Sequence, residues 1–277
     1  MPVLQEQTAA MSFPLSSLAS RRRAELQRAV HVVQALIIRE FKGRYRRSLL
    51  GPAWAIIQPV AYMVIFTAVG HALNISSEGV PYLIFTYSAL VPWTFFSNAV
   101  SRCGPTIYFK AAIIRKIALP REVFPLAEVI GSLVDFLVAA LILLALMLWF
   151  RTPVGWPLLW SPLLVLLTIL LATGIGFAVA ALGTYQFDTV FALPFLMQLW
   201  MFATPVMYPL HSVPADWQRW YRLNPMVGII EGFRGILVEK RPPDLSLLGW
   251  SILGIVVVWI LAWPLFRFTS QYFADVL

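Results

Sequence analysis

The chain has 277 residues, 60% of them hydrophobic and 12% charged, with a net charge of +8. Soluble globular domains carry about 25% charged residues, so this composition excludes one and describes a polytopic membrane protein. The positive residues gather in loops beside apolar runs, the habit of cytoplasmic loops, which argues against a nucleic-acid binder. Cys103 is the sole cysteine, so no intrachain disulfide can form and no cysteine-based metal site is expected.

The first twenty residues lack a basic stretch ahead of an apolar run, so no cleavable signal is expected there. Residues 1–24 read as a flexible cytoplasmic N-terminus. Leu26, Val30, Val33, Ile37 and Phe41 then recur at spacings of four and three, which puts them on one helical face. With Arg28, Arg39 and Lys42 elsewhere around it, the segment 25–50 reads as an amphipathic helix along the cytoplasmic interface. Its basic face suits anionic lipid alone, or lipid together with a docking protein. The run Arg39-Glu40-Phe41-Lys42-Gly43-Arg44-Tyr45-Arg46-Arg47 holds five positive charges in nine residues and stops against the first apolar segment.

A helix needs about 20 mostly apolar residues to cross the hydrocarbon core. Six segments qualify: 52–73, 82–101, 124–150, 157–185, 190–208 and 247–268. Alternation over six spans puts the N-terminus, the second-to-third loop, the fourth-to-fifth turn and the C-terminus together. That side holds fifteen Lys and Arg against six on the other, which marks it as cytoplasmic and places both termini inside. The five basic residues after the fifth span count for less, because Asp216, Glu231, Glu239 and Asp244 nearly balance them. The expected fold class is all-α, a six-helix membrane domain over 51–277.

Residues 106–119 form a short predicted helix, apolar on one side and basic at Lys110, Arg115 and Lys116. Pro120 ends it, since the residue before proline disfavours the helical region. Such a segment suits a lever pressed by a soluble partner, or a loop lying on the surface. The third span carries Glu128 and Asp135, seven residues apart and so on nearly one face. Carboxylates at membrane depth are costly unless paired or wet. A structural ion pair is favoured over a proton relay, because no intramembrane His, Lys or Arg completes one.

After the fifth span, residues 211–240 stay amphipathic. Trp217, Trp220 and Tyr221 precede Asn224-Pro225, which marks a break between two short helices. These helices either rest at the outer leaflet, where Trp and Tyr prefer to sit, or re-enter and cap a pathway. Their length and patterning favour the cap. Tyr62 and Phe66 on the first span and Phe191, Phe195 and Phe202 on one face of the fifth offer ring faces on which sugars stack. Lipid contact and helix packing are the ordinary uses of such residues.

Catalytic signatures are missing. There is no phosphate loop for ATP hydrolysis, no zinc-protease motif and no serine elbow. His31, His71 and His211 are scattered, so no catalytic set and no metal site are expected. An enzyme acting on lipid-linked sugars would have to rest on Glu128, Asp135 or Asp188.

Five stretches carry a family resemblance: Ile38-Arg39-Glu40-Phe41-Lys42 with Arg44-Tyr45-Arg46-Arg47-Ser48-Leu49-Leu50-Gly51-Pro52-Ala53-Trp54 and Gln58-Pro59, then Val91-Pro92-Trp93-Thr94-Phe95-Phe96-Ser97-Asn98, Pro120-Arg121-Glu122-Val123-Phe124-Pro125, Thr204-Pro205-Val206-Met207-Tyr208 and Asn224-Pro225-Met226. In this order, over about residues 35–270, they resemble the permeases of polysaccharide ABC exporters, which export O-antigen, capsule or teichoic-acid chains. The resemblance implies a homodimer paired with two copies of a cytoplasmic ATPase, which binds the ATP and Mg; no cofactor belongs to this chain. It implies an N-terminal interface helix, a coupling helix at about 106–119 and extracytoplasmic gate helices at about 211–240. It also implies a channel at the dimer interface lined by the first and fifth spans, in a bacterial inner membrane, with lipid-linked glycan as substrate. Arg39, Glu40, Arg44, Arg46, Arg47, Arg115 and Lys116 then become candidates for ATPase docking or lipid-phosphate contact. Tyr62, Phe66, Phe191, Phe195 and Phe202 become candidates for the glycan path, and Trp217, Trp220, Tyr221, Asn224 and Pro225 for the gate. The chain departs from the family at Phe187-Asp188, where members often carry Arg-Asp. Export of a drug or lipid on the same fold is the alternative cargo.

Overall fold

The computed structural model describes residues 53–72, 80–115, 119–153 and 155–273. The predicted segments 1–24 and 25–50 therefore lie outside the described residues. The helices are α1 (Trp54–Ala72), α2 (Tyr82–Phe109), α3 (Ala111–Ile114), α4 (Val123–Trp149), α5 (Ser161–Tyr185), α6 (Asp188–Phe202), α7 (Ala215–Tyr221), α8 (Pro225–Arg234) and α9 (Leu245–Ser270). A 3₁₀ turn, Trp156–Trp160, leads into α5, and a π-helical turn, Gly235–Glu239, extends α8. Among the described residues there is no strand, so the all-α class holds.

Four helices are long and apolar enough to cross a membrane: α2, α4, α5 with its leading turn, and α9. The first and fifth predicted spans correspond to shorter apolar helices. At 1.5 Å per residue the 15 residues of α6 reach about 22 Å, short of a hydrocarbon core of about 30 Å. Beyond Phe202 the chain continues in turns to Tyr208, where a helix was expected.

α2 is the hub. It packs against α1, α4, α5, α6 and α8, and most of its length is buried, whereas α4 and α9 turn much of their surface outward. Sequence put its end near residue 101; it continues to Phe109. Arg102 and Lys110, which look like loop residues, are retained beside the bundle because carboxylates on α4 pair with them. Pro92 and Pro105 sit inside α2, tolerated because neighbouring helices and side chains in a bundle re-satisfy the freed backbone groups.

The predicted helix over 106–119 is thus divided. Residues 106–109 belong to α2, Lys110 turns, and α3 adds four residues capped by Arg115. Residues 116–118 lie outside the described residues. The bundle closes tightly where α5 crosses α2: a Cβ on Gly183 would stand 2.4 Å from the Gly104 carbonyl oxygen. Elsewhere α8 presses equally hard on α9, where a Cβ on Gly228 would meet the Leu247 carbonyl oxygen at 2.4 Å.

Candidate functional site

Helices α1, α2, α4 and α6 line an open cavity of about 640 Å³. Helical spacing builds its walls. From α2 come Leu90, Thr94, Ser97, Asn98, Ser101 and Arg102, a stripe at steps of three and four that shares one face and extends about 18 Å along the axis. From α6 come Pro194, Met197, Gln198 and Met201 in the same rhythm. Trp54, Gln58 and Tyr62 on α1 and Asp135, Phe136 and Ala139 on α4 complete the lining, with Trp93 beside the α2 stripe. Rings and amide or hydroxyl groups therefore share one space. Polar side chains at membrane depth face a bundle interior or a water-filled cavity, and this lining can hold an amphiphilic, hydroxyl-rich molecule.

One end of the cavity wall continues into a ladder between α2 and α4. Arg102 donates to Asp135 and to Ser132 Oγ, each at 3.0 Å. Ser132 in turn donates to the Glu128 carbonyl at 2.8 Å. Glu128 Oε1 accepts from Thr106 at 3.1 Å and from Lys110 at 2.5 Å. Positions 102, 106 and 110 fall on one stripe of α2 and face 135, 132 and 128 on the oppositely directed α4. Glu128 is buried, and Lys110 and Asp135 are mostly so. The ladder locks the half of α2 that leads into α3 onto α4.

At the other end of α6 a second polar assembly ties three elements together. Asn224 caps α8 by accepting from the Met226 N–H at 3.1 Å. The same oxygen accepts from the Trp200 indole at 3.0 Å, and its amide donates to Thr204 Oγ at 2.8 Å. Arg234, fully buried, donates to the carbonyls of Pro205 at 2.8 Å and Val206 at 3.2 Å and pairs with Glu231. Its guanidinium also lies 4.1 Å from the centre of the Phe85 ring on α2, within cation–π range. The turns after α6, the helix α8 and the start of α2 are thus pinned to one cation.

The predicted residues are distributed unevenly over this frame. Arg39, Glu40, Arg44, Arg46, Arg47 and Lys116 lie outside the described residues, and Arg115 is exposed at the end of α3. Tyr62 lines the cavity, and its ring stacks on Phe66, which is buried in the core. Phe191, Phe195 and Phe202 are exposed on the outside of α6, at 72%, 60% and 50%. Trp217 and Trp220 are exposed on α7, while the Tyr221 hydroxyl meets that of Tyr208 at 2.9 Å. Pro225 opens α8 immediately after its Asn224 cap. Glu128 and Asp135 stand in the ladder.

Sequence reasoning missed the partners, Arg102 and Lys110, by leaving the first in a loop and giving the second to a separate surface helix. It also missed the amides Gln58, Asn98 and Gln198, and it missed Arg234. The i, i+4 recurrence of polar residues at 94, 98 and 102 was a legible signal for the α2 stripe; nothing local marks Arg234 as buried.

Residues 31–238 match the family described as ABC-2 type transporter. Among similar proteins is the O-antigen export system permease protein RfbA of Myxococcus xanthus, 27% identical over 245 residues, which cover 87% of this chain and 93% of that protein. The polysialic acid transport protein KpsM of Escherichia coli is 28% identical over 210 residues, 72% of this chain and 78% of its own. The inner membrane transport permease YadH of Escherichia coli is 26% identical over 252 residues, 86% and 94% of the two chains.

Proposed function

Because this chain belongs to the ABC-2 type transporter family, we propose that it is the membrane permease of an ATP-driven exporter of lipid-linked polysaccharide. The cavity carries the reading: rings of Trp54, Tyr62 and Trp93 stand beside Gln58, Asn98, Gln198 and the hydroxyls of α2. Sugars present apolar C–H faces and hydroxyl edges, and this lining offers a partner for each. The names of relatives that export O-antigen and transport polysialic acid support the same cargo class.

In this reading two copies of the chain face each other, and the exposed phenylalanines of α6 belong to the surface between them. A separate cytoplasmic ATPase binds ATP and Mg and presses on the segment after α2, near Arg115 and Lys116, and on the basic run at Arg39, Glu40, Arg44, Arg46 and Arg47. The ladder from Lys110 to Asp135 passes that displacement along α2 to the cavity wall. Trp217, Trp220 and Tyr221 on α7, with the Asn224-Pro225 break, cap the outer end. Six crossings in a bacterial inner membrane with both termini inside fit the excess of fifteen basic residues over six. Glu128 and Asp135 are held by Lys110 and Arg102, which supports a structural role over a catalytic one.

The test is reconstitution with the partner ATPase in proteoliposomes containing a fluorescent lipid-linked glycan. ATP-dependent movement of the glycan is expected, and full movement without any ATPase would sink the proposal.

A further inference from the structure

We infer that the cavity selects an uncharged, hydroxyl- or acetamido-bearing stretch of glycan, and that Gln58, Asn98 and Gln198 read it while the Arg102–Asp135 pair withholds the cation that a polyanionic sugar would need. The inference rests on the glycan reading above and narrows it to a chemical class.

Three amides reach one cavity from three helices, Gln58 on α1, Asn98 on α2 and Gln198 on α6. Each amide offers one acceptor oxygen and two donor hydrogens. A sugar hydroxyl both donates and accepts, and an acetamido group carries the same donor and acceptor as the amide itself. Amides therefore match neutral sugars at every edge. A carboxylate only accepts, so it would use the N–H half of each amide and leave the carbonyl half facing an anion.

An anionic sugar would be held best by a guanidinium fork, which binds carboxylates through two parallel hydrogen bonds. Arg102 lines the cavity, but its two terminal nitrogens are directed at Ser132 Oγ and Asp135 Oδ2, each at 3.0 Å. Asp135 lines the cavity as well. An incoming carboxylate thus finds both terminal nitrogens of the guanidinium already engaged. The pair is largely shielded, with 27% of the Arg102 side chain and 16% of Asp135 exposed, so salt screens it less than a pair at an open surface and it holds the guanidinium firmly. The exposed ring faces of Trp54 and Tyr62 stack sugars of either charge, which leaves discrimination to the amides and the pair.

The experiment compares chitotetraose, neutral and acetamido-bearing, with tetrasialic acid of equal length. Binding to the full-length purified protein is read by calorimetry. Chitotetraose is expected to bind at least about tenfold more tightly, the scale of the one charge-assisted hydrogen bond that the carboxylate cannot make. Asp135→Asn, which leaves Arg102 charged, should raise the affinity for tetrasialic acid and narrow that ratio. The double change Arg102→Gln with Asp135→Asn should not, which separates the charge effect from any loosening of the fold. Asn98→Leu and Gln198→Leu should each weaken chitotetraose by about tenfold, the cost of one lost hydrogen bond. Equal binding of the two oligosaccharides, or a ratio unmoved by Asp135→Asn, overturns this inference and leaves the glycan reading standing. If neither oligosaccharide binds, both fall.

Discussion

Replacing Arg234 with Met tests the polar assembly around α8 most sharply. The change removes two charge-assisted hydrogen bonds to the Pro205 and Val206 carbonyls and takes the guanidinium away from Glu231, whose side chain is 11% exposed. Removing one member of a buried pair costs about 3–5 kcal/mol, because the remaining charge keeps its desolvation penalty. The hydrogen bonds, at about 1.5–3 kcal/mol each when one partner is charged, are part of that loss rather than an addition to it. Arg234→Met should therefore lose about 3–5 kcal/mol of stability. Arg234→Lys keeps the charge but not the planar fork that reaches two carbonyls, and should lose about 1–3 kcal/mol. Combining Arg234→Met with Glu231→Leu removes the remaining carboxylate and should recover about 2 kcal/mol, within the coupling expected of residues in contact. The assay is reversible unfolding of the detergent-solubilised protein followed by tryptophan fluorescence. A loss below about 1 kcal/mol for Arg234→Met, far under the range for a buried pair, would refute the reasoning. A double variant as unstable as the single would do the same.

Three further outcomes are expected. Lys110→Met leaves Glu128 buried without its cation and should cost about 3–5 kcal/mol, with most of it recovered when Glu128→Gln is added; the same unfolding assay checks this. Gly183→Ala drives a methyl into the Gly104 carbonyl and should cost about 1–3 kcal/mol as an overpacked contact, seen as a lower melting temperature. Cys103 is fully buried, so a small maleimide should label it only after denaturation; rapid labelling of the native protein, seen by mass spectrometry, would show α2 packed otherwise.

The apolar segments were legible because a run of about twenty apolar residues matches the thickness of a bilayer core and little else in a folded chain. The all-α class follows from those runs. The break at Asn224-Pro225 was legible for a local reason: asparagine accepts from the first turn of a helix and proline suits its first position. What escaped depends on partners far away in sequence. A basic residue reads as a loop residue until a carboxylate on another helix is found for it, and so α2 was cut short at Arg102. A structural ion pair was expected for Glu128 and is present, but its partner, Lys110, lies across a helix interface that no local pattern reveals. Ring periodicity has the same limit. It places Phe191 and Phe195 on one face of α6 but not on which side that face lies; the cavity is lined from α6 by Pro194, Met197 and Met201, with Gln198 at the edge of the phenylalanine face.

The most direct measurement of the central claim is ATP-dependent glycan translocation by the chain co-reconstituted with its ATPase, with and without Asn98→Leu and Gln198→Leu. The account predicts that lipid-linked glycan crosses only when ATP and the ATPase are present, and that each cavity substitution slows transport more than it slows ATP hydrolysis. Transport that proceeds without the ATPase, or that ignores both cavity substitutions, would contradict it.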